Sequence, residues 1–169
     1  MDIGQTLPSP YNRKNKTEVI MDALPKTYND PDGYEPFPQL FSYDGFEQTV
    51  GPLLHKNEAN AWSFKFQIDQ KHLNSLERLH GGMIMTFLDH SLGGTAFHAT
   101  GNKPCITVSL HTDFVAGAKA GDWVIGTARV NKITGNLVFV SGELRVSEKL
   151  IAIASGVWRS IELGTSQKI

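Results

Sequence analysis

The chain has 169 residues, 16 of them basic and 17 acidic, for a formal charge of −1. That balance removes the electrostatic case for nucleic acid or an anionic membrane surface as partner. A hydrophobic content of 40% excludes a disordered chain and fits one domain with an ordered extension. The single cysteine, Cys105, excludes an intrachain disulfide framework and a cysteine zinc site. No apolar run reaches the ~20 residues of a membrane span. The first residues lack the basic and apolar regions of a secretory signal. The expected location is therefore the cytoplasm.

Residues 1–45 read as an arm that wraps the core. Six of the eight prolines lie there, and Asn29-Asp30-Pro31-Asp32-Gly33 is a turn signal. Short apolar groups at Val19-Ile20-Met21 and Phe37–Phe41 are its expected anchors. A domain over 46–163 follows, with a short tail at 164–169. Residues 46–56 read as a strand entered through Gly51-Pro52. Residues 60–69 alternate, with Trp62, Phe64, Phe66 and Ile68 on one face and Ser63, Lys65, Gln67 and Asp69 on the other, which predicts a sheet with one face buried.

A polar loop from Lys71 to Leu79 leads into His80-Gly81-Gly82 and then about five turns of apolar helix. Met83, Ile84, Met85, Phe87, Leu88, Leu92, Ala96 and Phe97 leave almost no polar side, so this helix belongs inside the fold. Four strand-like segments follow: Cys105–Val115, Asp122–Thr134, Leu137–Ser147 and Leu150–Ile161. The last two boundaries are short enough for antiparallel hairpins. No helices alternate with these strands, which argues against a parallel doubly wound sheet. The expectation is α+β: a curved antiparallel sheet, ending in a four-strand meander, wrapped around one long helix. Uncovered edges and faces predict a dimer.

Two features of the helix carry chemistry. Its first amides have no internal partner and point outward at the positive end of the dipole, where they suit a carbonyl oxygen gaining negative charge. Asp89, seven residues past Gly82, is a carboxylate in an apolar element, which is costly unless partnered. At ~1.5 Å per residue the two are ~10 Å apart along the axis, too far to touch one carbonyl. If both act on one bond, two copies of the helix must meet antiparallel across a dimer interface. Asn74, in the polar loop, reads either as a turn residue or as a group that orients water or substrate. Thr107 reads either as an ordinary strand residue or as a hydroxyl that holds Asp89. His90, His98 and His111 lack helical metal-ligand spacing, so no metal is expected. A serine-hydrolase elbow and a dinucleotide fingerprint are absent from the sequence.

Asn74, His80-Gly81-Gly82 and Asp89, with asparagine six before the histidine and aspartate nine after it, resemble the signature of hotdog-fold acyl-CoA thioesterases. The phenylacetic-acid-pathway (PaaI-like) group is the branch they resemble most, over residues 46–161. The resemblance implies hydrolysis of an acyl-CoA thioester, with no cofactor beyond the coenzyme A of the substrate. It implies that the Gly81 amide, with Gly82, polarises the carbonyl, and that Asp89 is nucleophile or base for water. Asn74 would orient the water or the thioester, His80 would position the loop and the thioester, and Thr107 would hold the water or the carboxylate. It further implies sites across a homodimer interface and a dimer of dimers. Met83, Phe87, Phe114 and Trp62 are candidate acyl-pocket residues as well as candidate core. Arg129, Lys132, Arg145 and Arg159 are candidates for the coenzyme A phosphates. A non-catalytic acyl-CoA sensor and a hotdog hydratase or dehydratase are the other functions weighed. The hydratases' Phe-Pro pattern does not follow His80.

Overall fold

The computed structural model describes residues 30–36, 45–58 and 61–162. The expected arm anchors at 19–21 and 37–41 and the tail from 164 lie outside these residues. The chain runs β1 (Glu35–Pro36), α1 (Gly45–Val50), β2 (Leu54–Glu58), β3 (Ala61–Gln67), a single 3-10 turn (Gln70–His72), α2 (Gly81–Ala99), β4 (Cys105–Phe114), β5 (Trp123–Thr134), β6 (Leu137–Val146) and β7 (Lys149–Ser160). All the strands belong to one antiparallel sheet in the order β1-β2-β3-β5-β6-β7-β4. The sheet curves around α2, as the resemblance implies.

Two expectations need correction. Residues 46–56 are not one strand: Gly45–Val50 is a short helix, and extended structure begins at Leu54. The last four strands are also not a simple meander. β5, β6 and β7 follow one another, but β4 pairs with β7 at the far edge. The physical reason is the crossover. A 19-residue helix is ~28 Å long, and the connection from β3 through it crosses the positions of β5, β6 and β7 before β4 starts.

The helix packs on the concave face through Met83, Ile84, Phe87, Leu88, Leu92 and Ala96, all buried with Phe64, Phe66, Val124, Val138, Val140, Leu144 and Trp158. Buried Ser91 and Thr95 donate to the carbonyls of Phe87 and Ser91, one turn back, so neither hydroxyl is left unsatisfied. Close approach needs glycine in the sheet. A Cβ at Gly126 would stand 2.5 Å from Ser91 Oγ, and one at Gly142 would stand 2.8 Å from Leu92 Cδ1. The helix is not covered all round, however. Gly82 and Met85 are exposed, and Thr86, Asp89 and Gly93 are half-buried. A single sheet wraps only one side of a cylinder.

The alternation in β3 has one exception with a cause. Lys65 points to the polar face yet is buried, because residues 30–34 fold over it. Its Nζ donates to Asp30 Oδ2 at 2.7 Å and to Asp32 Oδ2 at 2.9 Å, and it lies over the rings of Tyr34 and Trp123. The described part of the arm is thus clasped to the outside of the sheet.

Burial holds the imidazoles of His55, His72 and His98 below the ordinary value of 6.5. His72 Nδ1 accepts from the Asp69 N–H at 2.8 Å, so its proton is on Nε2, which faces the Val50 carbonyl at 2.8 Å. Protonating Nδ1 would set two N–H groups against each other. In the unfolded chain these histidines take up protons near pH 6.5, but in the fold only at lower pH. The unfolded state therefore binds more protons in that window, and stability falls as pH drops below about 6.5. A melting temperature several degrees lower at pH 5.5 than at pH 7.5 is expected in thermal denaturation. Equal values would show that these groups titrate alike in both states.

Candidate functional site

The N-terminus of α2 is built by the loop before it. Leu73 bridges to Leu79, and the Asn74 carboxamide oxygen accepts from the N–H groups of Leu76 (2.9 Å) and Arg78 (3.1 Å). Asn74 is therefore a turn residue, and only its NH2 is left for any other contact among the described residues. His80 caps the helix: its Nδ1 accepts from the Gly82 N–H at 2.8 Å. Two consequences follow. The His80 proton sits on Nε2, which is an outward donor. The Gly82 amide is occupied by that bond, although Gly82 itself faces the cavity described next. The Gly81 N–H meets no acceptor among the described residues. Phe114, at the end of β4, lies beside Gly81, with its ring 3.4 Å from where a Cβ would be.

A cavity of about 430 Å³ adjoins this turn. It is lined by Phe46, Val50, Leu73 and Met83 with His80 and Gly82 on its polar side. Its size lies within the usual range of ligand pockets, about 300–1,000 Å³.

Asp89 opens on a second cavity, of about 190 Å³. Thr107 Oγ1 donates to Asp89 Oδ1 at 2.7 Å. The contact joins the middle of α2 to β4, where the pairing with β7 shifts register between Thr107 and Ser109. Such a bulge re-aims the side chains beside it. The carboxylate is half-buried, not sealed in the core, because it faces this cavity. Glu47, His90, Cys105 and Trp158 share the lining. His90 Nδ1 is 2.7 Å from Glu47 Oε1, which pins α1 onto α2 beside Asp89. Burial pushes the Cys105 thiol up, so it stays protonated and is a poor nucleophile. The Glu47–His90 pair was missed in the sequence. Its partners are 43 residues apart, and no local pattern links them.

The other expected site residues separate. Met83 lines the first cavity and is otherwise buried. Phe87 is fully buried, its ring 4.5 Å from that of Phe66, so it is core and not pocket. Trp62 stacks on His98 at 3.4 Å and His55 at 5.3 Å, at the opposite end of α2 from Gly81. Phe114 is 55% exposed beside the turn. Arg129 contacts Ser141 and lines a concavity of about 500 Å³ on β5, β6 and β7. Arg145 is tied to Glu143. Arg159 lines a concavity of about 520 Å³ with Lys103 and Asn136. Although larger, these two concavities contain neither Asp89 nor the glycine turn. Among the described residues, no three His, Cys, Asp or Glu side chains gather as a metal site, and no helix is long and apolar enough to cross a membrane.

The family described as the thioesterase superfamily matches residues 76–152, from the turn before α2 into β7. The chain is 35% identical over 132 residues to the Pseudomonas aeruginosa protein named "Putative esterase PA0474", covering 77% of this chain and 96% of that protein. The chain belongs to the thioesterase superfamily. It is also 31% identical over 117 residues to mouse acyl-coenzyme A thioesterase 13, covering 67% of this chain and 83% of that protein. The E. coli PaaI protein of the phenylacetic acid degradation operon superposes with a TM-score of 0.61 at 18% identity, over 70% of this chain and 86% of PaaI, a likeness of fold. This thioesterase therefore has the hotdog fold.

Proposed function

We propose that this thioesterase hydrolyses acyl-CoA thioesters to the free acid and coenzyme A, at sites shared by two copies of the chain. The observation that carries the reading is the Asp89 carboxylate, held through Oδ1 by Thr107 and facing a cavity. Its other oxygen would take a proton from water or attack the thioester carbon. The name of the mouse relative agrees with acyl-CoA as substrate. The Gly81 amide is the donor left open at the helix mouth, and the Nε2–H of His80 is a second donor beside it. They lie ~12 Å up the axis from Asp89 of the same chain, so the acid for each mouth comes from the twin.

The surface supports that pairing. α2 is uncovered along Gly82, Met85, Thr86, Asp89 and Gly93. β4 is an edge strand with Ile106 and Val108 each more than half exposed. Open apolar edges invite pairing with another chain. A second copy laid along β4 would cover both features. On this reading Asp89, Gly81 and His80 act at the reacting atoms, and Thr107 holds Asp89. Asn74 builds the loop and can offer only its NH2. Met83 and Phe114 border the acyl group.

A thioester suits so small a set of groups. Thiolate is a good leaving group, so one oxyanion site and one carboxylate can suffice without a triad. Water adds to the carbonyl carbon as Asp89 takes its proton. The oxyanion faces Gly81, and collapse expels the thiolate, which takes the proton back. Release of thiol from a panel of aryl, short-chain and long-chain acyl-CoA esters is the expected result in a thiol-trapping absorbance assay. Hydration of an enoyl-CoA without thiol release would favour the hydratase reading, and binding without either reaction the sensor.

A further inference from the structure

Three cations gather beside the mouth of α2, none of them among those weighed from the sequence. The 115–121 loop closes under the turn, with the Leu79 N–H donating to the Ala118 carbonyl at 2.9 Å. Two cations meet at Gly117 of this loop. The Arg78 stem packs over it, Cδ 3.6 Å from where a Cβ would stand, and Lys149 Nζ donates to its carbonyl at 2.7 Å. Lys119 follows two residues on, and all three side chains are exposed.

Elsewhere the chain pairs cations with acids: Lys65 with Asp30 and Asp32, Lys103 with Glu162, Arg145 with Glu143. Among the described residues, no carboxylate pairs with Arg78, Lys119 or Lys149. Their nearest acids in sequence are otherwise placed. Glu77 offers Arg78 only its backbone carbonyl, Asp122 takes the backbone N–H of Lys119, and the Glu148 carbonyl takes Arg145. A surplus of positive charge on a chain of formal charge −1 fits an anionic ligand. Exposed Phe114 lies beside Gly81, and exposed Val115 follows it toward the loop that carries Gly117. An oxyanion donor, an apolar patch and a cationic loop are thus neighbours here.

We propose that Arg78 and Lys149, with Lys119 beside them, hold the phosphates of the coenzyme A whose thioester reaches Gly81, an inference that rests on the acyl-CoA reading above. These three features match the parts of that molecule: thioester, uncharged arm, phosphorylated nucleotide. The guanidinium fork of Arg78 suits phosphate oxygens, and Lys149 adds a point charge. Each such contact is worth on the order of tenfold in affinity.

The test compares an acyl-CoA with the matching acyl-pantetheine thioester, which has the arm without the nucleotide phosphates. Arg78→Ala and Lys149→Ala are each expected to raise KM for acyl-CoA about tenfold, and the double variant on the order of 10²-fold, with kcat nearly unchanged. On acyl-pantetheine the penalty shrinks to less than about twofold. An unchanged KM for acyl-CoA in the double variant overturns the proposal. So does an equal loss on both substrates, which would mark a merely structural role. If the parent chain hydrolyses no thioester, the reaction reading fails, and calorimetry with coenzyme A alone decides the phosphate site. Weakening of about tenfold per substitution supports it. Equal binding by parent and double variant, or no binding by the parent, overturns it.

Discussion

Asp89→Asn is expected to lower kcat on a good acyl-CoA substrate by about 10²–10³-fold while leaving the fold intact. The magnitude is that of removing a positioned base or nucleophile. The fold should survive because the carboxylate is half-buried and faces a cavity. Its partner also keeps a role, since the amide oxygen of asparagine can still accept from Thr107 Oγ1, now 2.7 Å from Asp89 Oδ1. The comparison needs kcat by thiol release, with circular dichroism and melting temperature as the check on folding. Thr107→Val, which keeps the β-branched shape and removes the donor, should cost less, about tenfold. Turnover retained in Asp89→Asn would remove the carboxylate from the mechanism. Loss of turnover together with loss of the cooperative melt would make Asp89 structural.

Mixing two inactive variants should restore activity. His80→Ala removes the cap on Gly82 and the Nε2 donor at the mouth of α2, and Asp89→Asn removes the acid. If each site takes its mouth from one copy and its acid from the other, a mixed dimer has one whole site and one doubly damaged site. Random pairing makes about half of the dimers mixed, so the mixture should recover about a quarter of the parent activity. If instead all groups of a site come from one chain, no mixture exceeds its components. Sedimentation should first show a species of two chains or a multiple of two. A monomer, or mixed dimers without recovery, would sink the shared site. The same geometry predicts that the apolar edge of β4 is where the copies meet. That edge is Ile106 and Val108.

Much of the fold was legible in the sequence because local rules govern it. The alternation in 60–69 marked β3, and turn residues framed the β5–β6 and β6–β7 hairpins, where Gly135 and Ser147 adopt positive φ. The apolar run after His80-Gly81-Gly82 marked α2 to within its ends. The contact of Thr107 with Asp89 was also legible, though only as one of two readings, because its partners are 18 residues apart across one helix and one strand. Other expectations went astray where a local pattern has two meanings. Residues 46–50 include the strand formers Phe46, Thr49 and Val50, but they fold as α1, which Glu47 pins to His90. Phe87 could be read as a pocket or a core residue, and it is fully buried.

What the chain encodes by itself is the period of each element, the caps and turns that bound it, and the spacing of a histidine, two glycines and an acid along one helix. These depend on neighbours within a few residues, whose geometry the backbone sets. Only the tertiary structure decided that β4 lies at the far edge, that His80 occupies the Gly82 amide and leaves Gly81 open, and that Arg78 and Lys149 meet over Gly117. Such meetings depend on which surfaces the sheet buries as it closes on the helix. That is a balance of burial over the whole domain, and no short stretch of residues carries it.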